Sequence, residues 1–161
     1  MATAAQHNKE IETALHGLAR AVDVEELADQ LTHGADQLRA RLKKELAAYK
    51  GAPVPEAQQT VLRALNEAET ILRLRADGLY ADAAALVVTS LGQSQQRVVA
   101  LTAAAAEKIR KIGMIGGVTG LVGGLIGLAG AAATGQAAPI VLALENIGKQ
   151  LKTIEAHRKP A

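Results

Sequence analysis

The chain has 161 residues and no cysteine, so it is long enough for one domain, too short for two of ordinary size, and carries no disulfide, thiolate nucleophile or cysteine metal site. Phe and Trp are also absent, and Tyr49 and Tyr80 are the only aromatics in a sequence that is 49% hydrophobic; this composition speaks for helices packed through small aliphatic side chains and against a chemically varied enzyme pocket. The net charge of +2 hides an asymmetry, because residues 1–107 hold 11 Lys/Arg against 14 Asp/Glu while residues 108–161 hold 7 against 2.

The N-terminus, "MATAAQHNKEIETALHG", has neither a basic n-region nor an apolar h-region, so no Sec-type signal is expected. Ile11, Leu15, Leu18 and Val22 follow each other at helical spacing and predict one amphipathic face. Asp23 is expected to cap a helix there, with Glu26 as its capping-box partner. Leu31, Ala35, Leu38, Leu42 and Leu46 carry the pattern on, so residues 1–50 read as amphipathic helices. "GAPVP" at 51–55 breaks the run, with Gly51 closing one helix and Pro55 opening the next.

From Glu56 the spacing resumes through Val61, Leu65, Ala68, Leu72, Tyr80, Ala84, Val87, Leu91, Val98, Leu101, Ala105 and Ile109. Gly78 and Gly92 are weak points, but neither brings a proline or polar cluster. Residues 56–111 are therefore expected to form one long amphipathic helix, a rod of roughly 84 Å at about 1.5 Å per residue.

The next segment, "KIGMIGGVTGLVGGLIGLAGAAATG", has no charge after Lys111, and the charge-free run continues from Ile112 to Leu144. It is no flexible linker, since its non-glycine residues are mostly aliphatic. It is no phosphate loop, since Leu125 and Ile126 stand where a Walker A motif needs Lys and Ser/Thr. On a helix its residues sort onto two faces. Met114, Ile115, Val118, Leu121, Val122, Leu125, Ile126 and Leu128 form an aliphatic arc, and Gly113, Gly116, Gly117, Gly120, Gly123, Gly124, Gly127 and Gly130 the opposite one. Each interior glycine disfavours a helix by up to about 1 kcal/mol relative to Ala, so close packing or a membrane has to offset the loss. Residues 112–134 would span roughly 34 Å as a helix, enough for a hydrocarbon core near 30 Å.

Gly116, Gly120 and Gly124 make an uninterrupted GxxxGxxxG, which resembles the glycine zippers of membrane-inserting helical proteins: channels, pore-forming toxins, bacteriocins and phage ejection proteins. The resemblance covers about 25 residues and implies helices that contact through Gly113, Gly116, Gly117, Gly120, Gly123, Gly124 and Gly127. Met114, Ile115, Val118, Leu121, Val122, Leu125 and Ile126 would then face lipid. Lys108, Arg110 and Lys111 flank the segment on one side and Lys149 and Lys152 on the other, positions suited to phospholipid headgroups. Residues 112–144 thus read as a membrane segment, either a single span or a hairpin turning at "GQAAP". Residues 145–161 read as a basic amphipathic helix and tail marked by Ile147, Leu151 and Ile154.

No motif points to catalysis. His7, His16, His33 and His157 form neither HxxxH nor HExxH. Ser90 and Ser94 sit in no GxSxG motif, and Glu25 and Glu26 read as first-turn acids. The cations of "LRARLKKELAAYK" (Arg39, Arg41, Lys43, Lys44 and Lys50) suit phosphates of lipid or nucleic acid but lack aromatic neighbours apart from Tyr49. The expectation is an all-α, elongated helical bundle with a C-terminal glycine-rich transmembrane-like helix or hairpin, without enzyme activity, cofactor or metal. It would self-associate, with other components of a larger assembly as further partners. It would reach a membrane after delivery and form a pore or conduit: a toxin, a secretion translocator or a phage ejection channel, with nucleic acid only as cargo. The alternative is a structural assembly protein that never meets lipid and buries the glycine-rich helix between subunits.

Overall fold

In a computed structural model of the chain, residues 3–4 and 16–158 are described, and among them the secondary structure is entirely helical. The helices are α1 (Ala21–Ala47), α2 (Glu56–Ala81), α3 (Gln95–Lys111), α4 (Ile115–Ala132) and α5 (Ala137–Arg158), with one 3-10 turn at Ala83–Leu86. Ile11, Leu15 and His7 lie outside the described residues.

The entrance to α1 differs from the expected continuous face. Leu18 is not helical: it is buried in a turn at φ 63°, the left-handed region. The turn is tied to the α2–α3 connection. Gly17 N–H donates to Gln93 O at 2.6 Å, Leu18 N–H to Gln95 Oε1 at 2.9 Å, and Val88 N–H to Leu18 O at 2.8 Å. Arg20 is the cap, and Asp23 stands three residues inside the helix rather than at its start. There its carboxylate accepts from the Arg20 backbone N–H at 3.2 Å and pairs with the Arg20 guanidinium at 2.7 Å. Val22 points to solvent, 55% exposed.

Beyond the cap, Val24, Leu27, Ala28, Leu31, Ala35, Leu38 and Leu42 form the buried stripe of α1. Lys50 (φ 49°) and Gly51 (φ 82°) then reverse the chain, and α2 begins after Pro55. α2 runs antiparallel to α1 and buries Leu62, Leu65, Leu72, Ala76 and Leu79. Three polar contacts fix the register: Tyr80 Oη donates to Asp29, Arg73 pairs with Asp36 at 2.8 Å, and Arg39 pairs with Glu69 at 2.9 Å. Glu69 is buried but also accepts from Arg73 Nε at 2.7 Å, so its charge is matched from two sides.

The rod expected over 56–111 does not form. α2 ends at Ala81, and the chain turns through Ala83–Leu86 and an extended stretch before α3 starts at Gln95. Burial explains the break. Ala83, Val88 and Leu91 fold under the end of the bundle and are 3–4% exposed, which a straight helix in water would not achieve. Gly92 at φ 71° supplies the turn, and Ser94 Oγ caps α3 by accepting from Arg97 N–H at 3.0 Å.

α3 lies parallel to α1: Gln95 donates to Asp23 O and Glu26 at one end, and Arg41 reaches Ile109 O at the other. An elbow at 112–114 leads into α4, and a turn with Gly135 at φ 65° leads into α5. α5 returns antiparallel along α4, burying Ile140, Leu144 and Ile147 in the common core.

The glycine-rich helix and its elbow as the candidate functional site

Helix α4 is the one element among the described residues that is long and apolar enough to cross a membrane. In this fold it is not free. Val118, Leu121, Val122, Leu125, Leu128, Ala129 and Ala132 are buried in the core shared with α1, α2, α3 and α5. Of the residues expected to face lipid, Val118, Leu121, Val122 and Leu125 thus face protein, Ile115 and Ile126 are half-buried, and Met114 stands in the elbow, 78% exposed. The orientation in the folded chain is therefore the reverse of the one expected in lipid. Water sets the sign: aliphatic area gains about 25 cal/mol per Å² when covered, and a glycine edge offers almost no area to cover.

The glycine face divides into two sets when a methyl group is imagined on each Cα. Three positions have an intramolecular neighbour. A Cβ on Gly117 would collide with Ile112 Cδ1, one on Gly124 would lie 3.1 Å from Ile147 Cγ1, and one on Gly130 would lie 2.8 Å from Arg75 Nη1. Gly120 is marginal, with Gln150 at 4.0 Å. At Gly113, Gly116, Gly123 and Gly127 there is open space within 4 Å. The GxxxGxxxG is therefore divided: Gly124, and to a lesser degree Gly120, accommodate α5, whereas Gly116 looks outward with Gly123 and Gly127. The fold of the single chain gives no reason for that outward strip to be glycine.

The elbow is held by Arg41, one of the cations whose pattern in the sequence suits phosphates. Arg41, 4% exposed, donates from Nη1 to Ile109 O at 3.3 Å, to Arg110 O at 3.4 Å and to Ile112 O, and from Nη2 to Gly113 O at 3.3 Å. Its Nε donates to Glu45 at 2.7 Å. Ile109 O and Arg110 O are among the carbonyls that the end of α3 leaves without intrahelical donors, and Ile112 O and Gly113 O belong to the elbow that follows. One guanidinium thus closes α3 and fixes the angle at which α4 departs. The signal was present: Arg41 falls next to Leu42 and three residues after Leu38, on the core side of α1. Arg41 is for that reason not available to phosphates, unlike the exposed Lys43, Lys44 and Lys50.

Lys108, Arg110 and Lys111 occupy the last turn of α3, and Lys149 and Lys152 the second half of α5. Lys108 Nζ pairs with Glu155 at 3.3 Å, which brings the end of α5 beside the end of α3. The structure so joins the two flanking groups at one end of the bundle. Two further polar features adjoin α4. Arg75 Nη1 donates to Ile126 O at 3.0 Å, beside an open cleft of about 360 Å³ lined by Arg75, Gly78, Asp82, Leu86, Gly130 and Ala133. Gln150 Oε1 is buried against Gly124 without a hydrogen-bond partner. No cluster of three or more His, Asp or Glu able to hold a metal ion is found among the described residues. Comparison with family models, with curated proteins and with solved structures finds no match to this chain.

Proposed function

We propose that this chain is a self-assembling helical protein that inserts α4, with the start of α5, into a membrane and forms a pore or conduit as an oligomer. The observation that carries the reading is the outward strip of Gly116, Gly123 and Gly127, which no neighbour in the folded chain requires. Glycine there weakens the helix, and its return is a bare surface on which a second backbone can approach closely. The charge-free run from Ile112 to Leu144 supports insertion as the setting of that contact. In this reading the bundle is the stored form. Its core shields Val118, Leu121, Val122 and Leu125, and lipid takes over their cover once α4 leaves.

A second reading has its own support. The aliphatic face is already covered by protein, so an assembly built through the glycine strip alone would need no lipid at all. Dye release from vesicles, read beside the oligomeric state, separates the two. The variant to use is Gly123→Leu with Gly127→Leu, because both positions are open and the core stays untouched. Under the pore reading the variant still partitions into vesicles but loses oligomers and leakage together. Undiminished leakage removes the glycine strip as the contact. Stable oligomers of the unaltered chain in water, with no leakage, select the assembly reading.

A further inference from the structure

We infer that the end of the bundle formed by the α3–α4 elbow and the C-termini of α1, α3 and α5 is a docking surface for anionic phospholipid. This deepens the membrane reading above and rests on it for its purpose, though not for its chemistry. Three helices finish at this end. Arg41 ties α1 to Ile112 and Gly113, and Lys108 ties α3 to Glu155 of α5. Each brings exposed cations: Lys44 in the last turn of α1, Arg110 and Lys111 in the last turn of α3, Lys152 on α5. Cations at helix C-termini are also favoured by the helix dipole, so charge alone would not single out a membrane.

What singles it out is the apolar material among the charges. Met114 is 78% exposed at the elbow, more than any other large hydrophobic side chain described, and Leu46 at the end of α1 is 53% exposed. An aliphatic side chain inside a basic collar suits a headgroup layer above hydrocarbon. A surface for single-stranded nucleic acid would instead call for aromatic stacking, and Tyr49, the one aromatic residue in this neighbourhood, is half-buried. A duplex would need only the cations and would leave the exposed Met114 and Leu46 without a role. The elbow end also holds the acids Glu107 and Glu155, set against Lys111 and Lys108, but its exposed cations outnumber them. The opposite end carries the exposed acids Glu25, Glu26, Asp77 and Asp82 against Arg20 and Arg97, so an anionic bilayer would orient the molecule elbow-first. That orientation sets the N-terminus of α4 at the lipid surface, while Arg41 holds the elbow in place from inside the bundle.

The test compares two charge reversals on one helix, Arg110→Glu in the last turn of α3 and Arg97→Glu in its first. Flotation is measured with phosphatidylcholine vesicles, with and without phosphatidylserine, and folding is checked by circular dichroism. The unaltered chain should bind the phosphatidylserine vesicles more tightly. Arg110→Glu should weaken that binding about twenty-five-fold, from two charge units at about five-fold each. Arg97→Glu, at the far end, should change it by less than about two-fold. Met114→Ser should lower the part of the binding that survives added salt. If Arg110→Glu fails to fold, Lys111→Gln takes its place, with a loss of about five-fold expected. Equal losses from Arg97→Glu and Arg110→Glu, or equal binding to both vesicle types, overturn the proposal. Preference for duplex DNA or RNA over vesicles, lost in Arg110→Glu, overturns it in favour of nucleic acid. Leakage is scored separately. Docking without leakage keeps this surface and removes the pore, and leakage indifferent to phosphatidylserine does the reverse.

Discussion

Replacing Gly123 and Gly127 together by Ala should make the single chain more stable and its assembly weaker. Both glycines sit within α4, both are exposed, and neither has an atom within 4 Å of an added Cβ. A methyl group at each position therefore meets no clash and reduces the freedom of the unfolded chain. Each exchange should contribute up to about 1 kcal/mol, or about 2 kcal/mol for the pair. For a chain of this size that corresponds to a rise in Tm of about 4–8 °C. The measurement is thermal unfolding by circular dichroism at concentrations where the unaltered chain is monomeric, followed by sedimentation at higher concentration. Gly34→Ala provides the contrast, because a Cβ there would lie 2.8 Å from Leu125 Cδ1 in the core. Overpacking there costs about 1–3 kcal/mol, which outweighs the same helix gain of up to about 1 kcal/mol, so the net change should be a loss of up to about 2 kcal/mol. An unchanged or lowered Tm in the Gly123/Gly127 double variant would refute the reasoning, since it would mean that the strip is already in contact in the isolated chain. A raised Tm with undiminished assembly would refute the other half, that the strip is the contact between copies.

Arg41→Met keeps most of the aliphatic volume and removes the donors that close α3. With the buried Ile109 O and the partly buried elbow carbonyls left unpaired, and Glu45 without its partner, the bundle should lose about 3 kcal/mol, read as a lower midpoint in urea. Arg41→Lys should not recover it, because an ammonium cannot fork toward carbonyls on both sides of the elbow; full recovery by Lys would mean that charge alone holds the junction. The hydroxyl of Tyr80 has its pKa raised above the ordinary value, first by burial and then by its hydrogen bond to Asp29. The folded state thus keeps the proton more tightly than the unfolded one. Stability from this group is complete below about pH 10 and is lost as pH rises through the higher folded value. In a Tyr49→Phe background the phenolate absorbance should appear later in the folded chain than in urea, and Tyr80→Phe should remove part of the alkaline loss of stability.

The helical class was legible because apolar spacing of three and four residues runs through nearly every segment and no alternating run competes with it. What the spacing could not convey is where a helix stops for the sake of burial. Ala84, Val87 and Leu91 continue the pattern after Tyr80, yet the chain breaks there. Folding Ala83, Val88 and Leu91 under the bundle gains more than extending a half-exposed rod. Leu18 misled for a related reason, since its left-handed turn depends on partners 70 and more residues away, Val88 and Gln95. In the candidate site, periodicity separated bare from aliphatic residues on α4 but could not say which glycines face a neighbour. Gly124 and Gly127 look alike in sequence; only the returning α5 makes one of them buried. Arg41 stood in a basic run, and its core-side position carried the clue that its charge is spent internally.

The same packing decides what insertion would demand of the rest of the chain. The side chains of α4 that would meet lipid are the ones that now complete the core, so the bundle and the inserted state cannot share them. Leu125 illustrates the exchange: it lies over Gly34, in a neighbourhood that includes Leu72 and Ala106. Withdrawal of α4 and α5 would leave that surface of α1, α2 and α3 uncovered, at a cost of about 25 cal/mol for each Å² of apolar area newly wetted. Lipid reimburses only the area on α4 and α5. A pore built this way therefore needs a second cover for α1, α2 and α3, and two are open to it: the headgroup boundary, where amphipathic helices can lie flat, or the corresponding helices of neighbouring copies. The two differ in observable terms. Helices at the boundary become protected from exchange only when vesicles are present, whereas helices covered by other copies are protected in proportion to oligomer formation.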